Sequence, residues 1–307
     1  GRIMSGPCLP GRYMGPMSNE IRSDLFSCGR IRFGDARDKV QYQNLAPHLI
    51  VTSPPYWGLR DYGEKGQLGL EPTPEAYIEK MVEVFSRVRR VMRGDATCWL
   101  NMGDCFVDKQ LAGMPWRLAL ALQADGWWLR QDIIWHKPNP MPESVTDRCT
   151  KSHEYIFLLT KSKRYYYDHE AIKEPASYAG QSRGGSTNRY EQNEAGMDNK
   201  EYDTRNKRSV WTVNTKPYKD AHFATFPPEL IEPCIKAGCP EGGTVLDPFM
   251  GSGTTLMVAC RLGRKSIGIE LNPTYIKMAK DRIDKDSRPS TFKTNDDTNT
   301  PLFSGLG

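Results

Sequence analysis

Two short segments far apart in the chain each follow directly on an apolar, β-branched run. Thr52-Ser53-Pro54-Pro55-Tyr56-Trp57-Gly58 follows Leu49-Ile50-Val51, and Asp247-Pro248-Phe249-Met250-Gly251-Ser252-Gly253-Thr254-Thr255 follows Thr244-Val245-Leu246. Such runs read as buried strands, and open α/β sheets gather ligands beyond the carboxyl ends of their strands. The pair therefore constrains the chain to an α/β sheet in which both segments open onto a ligand cleft.

The remaining pattern agrees with that fold class. Thr73-Pro74-Glu75 is a helix start, followed by Tyr77, Ile78, Met81, Val82, Phe85, Val88 and Met92 at helical spacing. Further helices are expected over 115–125, from about 227, over 254–262 and over 273–283, with strands over 97–101, 132–135 and 266–270. Residues 154–160 and 165–167, separated by a Lys161-Ser162-Lys163-Arg164 turn, predict a β-hairpin. The sum is a mostly parallel α/β sheet with an antiparallel hairpin strand and helices on both faces.

The 307 residues suffice for one large domain. Residues 1–30 are expected to be a flexible arm, 31–172 a catalytic half, 221–286 a cofactor-binding half of the same domain, and 287–307 a polar tail. Between the halves, Lys173 to Ser209 holds no Ile, Leu, Val, Phe or Trp. Such a stretch cannot bury a core of its own, so it is expected to be a long functional loop or a segment that orders on binding, within a loop region over 173–220 in which order returns at Val210-Trp211. No apolar stretch approaches the roughly 20 residues that cross a bilayer, and no apolar signal-peptide core precedes the first strand; the expected location is intracellular. The eight cysteines include no CxxC pair, and several sit in apolar runs, so reduced thiols are expected, with no disulfide and no metal site. The net charge of +5 tolerates nucleic acid without demanding it.

Gly251 and Gly253 allow a tight turn and a close approach of backbone to ligand, and Glu270 at the next strand end can accept both hydroxyls of a ribose. A plain structural turn is the alternative. GxGxxG and Gly-Lys-Ser/Thr are both absent, which disfavours a pyrophosphate. S-adenosylmethionine therefore fits better than NAD, its sulfonium near Phe249 and Asp247. In the other segment, Pro54 and Pro55 remove two backbone donors, so the loop presents carbonyls that can hold an exocyclic amine. Ser53 offers a hydroxyl to a ring nitrogen, and Tyr56 or Trp57 a stacking face. Here the alternative is a proline turn carrying a core aromatic.

Ser53-Pro54-Pro55-Tyr56 and Phe249-Met250-Gly251-Ser252-Gly253, in that order, resemble the catalytic and cofactor segments of S-adenosylmethionine-dependent DNA amino-methyltransferases of the permuted β class. The resemblance covers roughly residues 31–285. It implies a circularly permuted, Rossmann-like methyltransferase sheet, with Ser53, Pro54, Pro55 and Tyr56 holding the target amine. It assigns Asp35 to the cofactor adenine and Glu270 to its ribose. Asp247, Pro248, Phe249, Gly251, Ser252, Gly253 and Thr254 would surround the cofactor, and His222, Phe223 and Thr225 would line its methionine part, unless His222 is structural. Asn101-Met102-Gly103-Asp104 lies at a strand end near the same pocket. Ser at the first motif place goes mostly with cytosine N4 and Asp mostly with adenine N6, so N4 is favoured and N6 is the alternative.

The implied partner is duplex DNA, with the target base turned out of the helix; a homodimer is left open. Arg205, Lys207, Arg208, Lys216 and Lys219, with Trp211 interleaved, suit phosphate contact and stacking, and Trp57, Arg60 and Lys65 lie beside the catalytic segment. Residues 173–209 occupy the variable target-recognition position, or are a solvated insertion. Protein-glutamine methyltransferases share an Asn-Pro-Pro-Tyr motif, but with the cofactor segment first. RNA methylation and a non-catalytic DNA-binding relative are the other readings, the last opposed by the intact motifs.

Overall fold

Leu49–Thr52 and Thr97–Met102 are strands in which every residue is buried, so their apolar runs do not alternate with polar residues. In the computed structural model, which describes residues 22–59, 61, 63, 66–176, 203–216 and 226–286, they lie within a nine-stranded sheet. In chain order the elements are β1 (Ser23–Phe26), β2 (Gly29–Phe33), β3 (Leu49–Thr52), α1 (Pro74–Val91), β4 (Thr97–Met102), β5 (Phe106–Val107), β6 (Gln110–Leu111), α2 (Met114–Ala124), β7 (Trp128–His136), β8 (His153–Thr160), β9 (Glu174–Pro175), β10 (Thr204–Arg205), β11 (Val210–Thr212), α3 (Pro228–Gly238), β12 (Thr244–Asp247), α4 (Thr254–Arg261), β13 (Lys265–Glu270) and α5 (Pro273–Asp286).

The sheet order is β1-β2-β13-β12-β3-β4-β8-β7-β11, while β5–β6 and β9–β10 pair separately. From β2 to β4 the five strands run parallel; β8 is antiparallel to both β4 and β7, and β11 is parallel to β7. Successive side chains of a strand enter opposite cores. Leu49, Val51, Trp99 and Val245 pack with α3, α4 and α5, whereas Ile50, Cys98, Leu100 and Leu246 pack with α1 and α2. The fold is thus a mostly parallel sheet with helices on both faces. α1 begins as its sequence predicts, Thr73 capping Ala76 N at 3.2 Å with Pro74 in the first turn.

Three sequence expectations are corrected. Strand β1 starts at Ser23, within the expected 1–30 arm, because β1 and β2 form an antiparallel hairpin at the sheet edge. The antiparallel partners of β8 are β4 and β7, not residues 165–167: Tyr166 N donates to Asp95 O at 2.8 Å, and Tyr167 stacks on Trp99 with ring centroids 6.2 Å apart. Their aromatic rings serve packing rather than a ladder. Order returns at Val210, as expected, in strand β11 of the main sheet. Finally, Cys28 and Cys260 are joined as a disulfide, with Cα atoms 5.6 Å apart, where only thiols were expected. The turn before β2 meets α4 only through the folded sheet, so no local spacing announces the pair.

Candidate active site

β3 and β12 are adjacent and parallel, Leu49 opposite Val245 and Ile50 opposite Leu246, so the two segments leave the same end of the sheet side by side. A carboxylate locks them together. Asp247 Oδ1 accepts from Thr52 Oγ1 at 2.6 Å and from Phe249 N at 3.0 Å, and Oδ2 accepts from Thr255 Oγ1 at 2.6 Å. Burial pushes the Asp247 carboxyl up to about 6 against the opposing pull of these hydrogen bonds. With 1% of its surface exposed, Asp247 is a latch beneath the cleft. Its oxygens serve three donors, which fixes the carboxylate in place between the two loops.

Gly251 and Gly253 both adopt left-handed φ, 51° and 80°. A Cβ on Gly253 would lie 2.6 Å from Ala279 Cβ, so this glycine admits α5; at Gly251 it would meet nothing within 4 Å, which leaves open space beside the turn. Gly251 N donates to Glu270 Oε2 at 2.9 Å and Asn272 N to Oε1 at 2.8 Å. Burial raises the Glu270 carboxyl to about 7 although these amides favour its charged form. Phe33 pairs with Glu270, and Gly34 N donates to Glu270 O at 2.9 Å, which brings Asp35 to the neighbouring strand end.

Asp35 is held by Arg37, with Arg37 N at 2.7 Å from Oδ1 and Nε at 3.0 Å. Burial works to raise its carboxyl, but the bonds and charge of Arg37 leave it lowered. Ser252 and Thr254 turn their hydroxyls inward. Arg282 Nη1 of α5 donates to Ser252 Oγ at 2.6 Å and Thr254 Oγ1 at 3.1 Å, because the helix start must satisfy polar groups that it buries. Pro248 is buried, and Phe249 packs half-buried against the α1 and α2 core.

On the other segment, Tyr77 OH donates to Pro55 O at 2.8 Å, whereas the Pro54 carbonyl accepts no hydrogen bond among the described residues. Ser53 Oγ donates to Tyr56 OH at 3.2 Å, and Tyr56 OH donates to Glu154 Oε2 at 2.8 Å. Asn101 Nδ2 lies 2.9 Å from both Tyr56 OH and Glu154 Oε2, and Lys137 Nζ is ion-paired with Glu154 Oε1. Burial, and next the Glu154 charge, push the Tyr56 phenol well above its usual range, so it stays protonated. Tyr56 also lies close to Gly103, where a Cβ would come within 2.8 Å of Tyr56 Cε2. Sequence reasoning missed Glu154 and Lys137. The available signal was an acid at the mouth of the otherwise apolar run Tyr155-Ile156-Phe157-Leu158-Leu159.

The DNA-facing expectations divide. Trp57 is tethered, its Nε1 donating to Glu71 O at 2.8 Å. Trp211 is 6% exposed and packs on Trp99 at 6.1 Å, so it is core rather than a stacking face. Because β11 runs parallel to β7 and reaches the catalytic end at Thr212, the preceding Arg205, Lys207 and Arg208 lie toward the opposite end of the strands. Arg205 Nε and Arg208 Nε both pair with Glu174 Oε1, at 2.9 and 2.6 Å, and Lys207 Nζ sits 5.0 Å from the Trp211 ring. Lys216 follows β11 at the catalytic end, ion-paired with Glu229. Arg60, Lys65, Lys219, His222, Phe223 and Thr225 lie outside the described residues.

A family model described as DNA methylase matches residues 47–281. Type II methyltransferase M.SmaI of Serratia marcescens is 46% identical over 293 residues, 86% of this chain and 93% of that protein. M.Cfr9I of Citrobacter freundii is 46% identical over 263 residues, covering 76% and 80%. Among solved structures, the cytosine-N4-specific PvuII DNA methyltransferase shares the fold with a TM-score of 0.64 at 19% identity, covering 83% of this chain and 86% of that one. A putative DNA modification methylase of Thermus thermophilus, complexed with S-adenosyl-L-methionine, matches with a TM-score of 0.58 at 26% identity, covering 84% and 94%.

Proposed function

The chain belongs to the DNA methylase family, and we propose that it transfers a methyl group from S-adenosylmethionine to the exocyclic N4 amine of a cytosine turned out of duplex DNA. The observation that carries this reading is the Thr52–Asp247–Thr255 latch, which fixes the amine-binding loop beside the glycine turn on adjacent strands. The residues fit the cofactor: Gly251 borders open space, and Glu270 keeps lone pairs for a ribose beyond the two amides it accepts. Asp35 stands at the next strand end for the adenine side. When bound, S-adenosylmethionine supplies an electrophilic methyl carbon on a sulfonium leaving group.

The protein's part is to hold and orient the amine. Cytosine N4 donates its lone pair into the ring and is a poor nucleophile. Ser53 Oγ and the Pro54 carbonyl, both acceptors, would hold its two protons and draw the nitrogen toward tetrahedral geometry. Orientation of this kind supplies much of the rate in such reactions. The pinned Tyr56 ring borders the base. Ser53 at the first motif place supports cytosine over adenine.

The base is tested by methylating unmodified genomic DNA and analysing its nucleosides by mass spectrometry. N4-methylcytosine is expected; N6-methyladenine in its place would overturn the choice of base. Gly103→Ala is expected to lower kcat by roughly 10- to 100-fold by displacing Tyr56, a misplacement effect that leaves cofactor affinity unchanged by calorimetry. A variant with full turnover would remove Tyr56 geometry from the account.

Glu270 gives a pH dependence. Ribose hydroxyls donate, so they prefer the charged carboxylate, and below about pH 7 binding must first expel a proton. Cofactor Kd should therefore be about tenfold larger at pH 6 than at pH 8, by titration calorimetry, and Glu270→Gln should abolish the step. A wild-type Kd independent of pH would count against ribose recognition by Glu270.

A further inference from the structure

We infer that Glu154 is a positioning residue that sets the polarity of the hydrogen-bond chain ending at Ser53, so that Ser53 meets the substrate amine as an acceptor. This rests on the methyltransferase reading above. The chain has one self-consistent direction. Glu154, ion-paired with Lys137, is a carboxylate and can only accept, so the single proton of Tyr56 OH goes to it. Asn101 presents its amide nitrogen to Tyr56 OH and Glu154 Oε2, both at 2.9 Å; the flipped amide would set oxygen against carboxylate. That orientation leaves Asn101 Oδ1 without a partner among the described residues.

With its own proton given away, Tyr56 oxygen receives the Ser53 hydroxyl at 3.2 Å. The Ser53 proton is thereby committed away from the cleft. Its oxygen takes a long 3.4 Å contact from Asn101 Nδ2 and keeps a lone pair for an amine. Ser53 therefore does not donate to a ring nitrogen, as its sequence context suggested. The acceptor is set from three strands: Asn101 on β4, Lys137 just after β7 and Glu154 on β8.

Glu154→Gln tests this without changing size. Lys137 is a donor only and draws the amide oxygen, which turns the amide nitrogen, also a donor, toward Tyr56 and reverses the chain. The expected result is a kcat lowered about tenfold or more, with the KM for DNA and the cofactor Kd nearly unchanged. Tyr56→Phe keeps the ring but removes the relay, so adding Glu154→Gln in that background should change kcat by no more than about twofold. Wild-type kcat in Glu154→Gln, or equal further losses in the Tyr56→Phe background, would overturn the inference. Turnover is counted as total methyl transferred to DNA. The nucleoside that carries the label decides the choice of base, and the ratios between variants decide the role of Glu154.

Discussion

Asp247→Ala is expected to lower the unfolding free energy by on the order of 3–5 kcal/mol and to abolish measurable cofactor binding. The substitution strands two buried hydroxyls, Thr52 and Thr255, and the Phe249 amide, all of which now meet one carboxylate. Each orphaned group costs about 1–3 kcal/mol, and the glycine turn loses its tie to the amine-binding loop. Denaturant unfolding followed by circular dichroism measures the loss. Asp247→Asn, which keeps an acceptor and nearly the same volume, should lose far less. Its pH profile is a second check. Because burial raises the Asp247 carboxyl from 3.8 to about 6, the folded state binds the proton more tightly than the unfolded chain. Its contribution to stability is complete below about pH 4 and is lost as pH rises through about 6. Asp247→Asn should remove that slope, and an unchanged slope would assign it to another group.

Ser53→Ala is expected to reduce kcat by roughly 10²- to 10³-fold, the scale seen when one preorganised polar contact to a reacting group is removed. Cofactor Kd and KM for DNA should stay within about twofold, since the cofactor turn is on another strand and the Tyr56–Glu154 bond survives. Single-turnover methyl transfer separates the chemical step from binding. A loss confined to KM would mean that Ser53 only binds the base.

The strands, the glycine turn and the order of the two loops were legible because they depend on local signals. β3 and β12 are short buried runs ending in Pro or Gly punctuation, and Gly251 and Gly253 take the left-handed φ their context requires. What the sequence hid is set by register between distant strands. Thr52, Asp247 and Thr255 are ordinary side chains until β3 and β12 lie together, and an acid at a strand end then becomes an internal latch. Glu154 gains meaning only because β8 inserts antiparallel between β4 and β7, which delivers it to Asn101 and Lys137. The same blindness misplaced the basic segment. Charge composition marks Arg205 and Arg208 as cationic, but only the direction of β11 shows that they lie away from the catalytic end and already share Glu174.

With the amine-binding loop and the cofactor turn side by side on neighbouring strands, the methyl group is expected to pass from S-adenosylmethionine to the DNA amine in one displacement. This is tested most directly by stereochemistry, using S-adenosylmethionine made chiral at the methyl carbon with three hydrogen isotopes and analysing the methyl group recovered from DNA. One in-line displacement predicts inversion of configuration. Retention would require two displacements through an enzyme-bound methyl and would contradict the account.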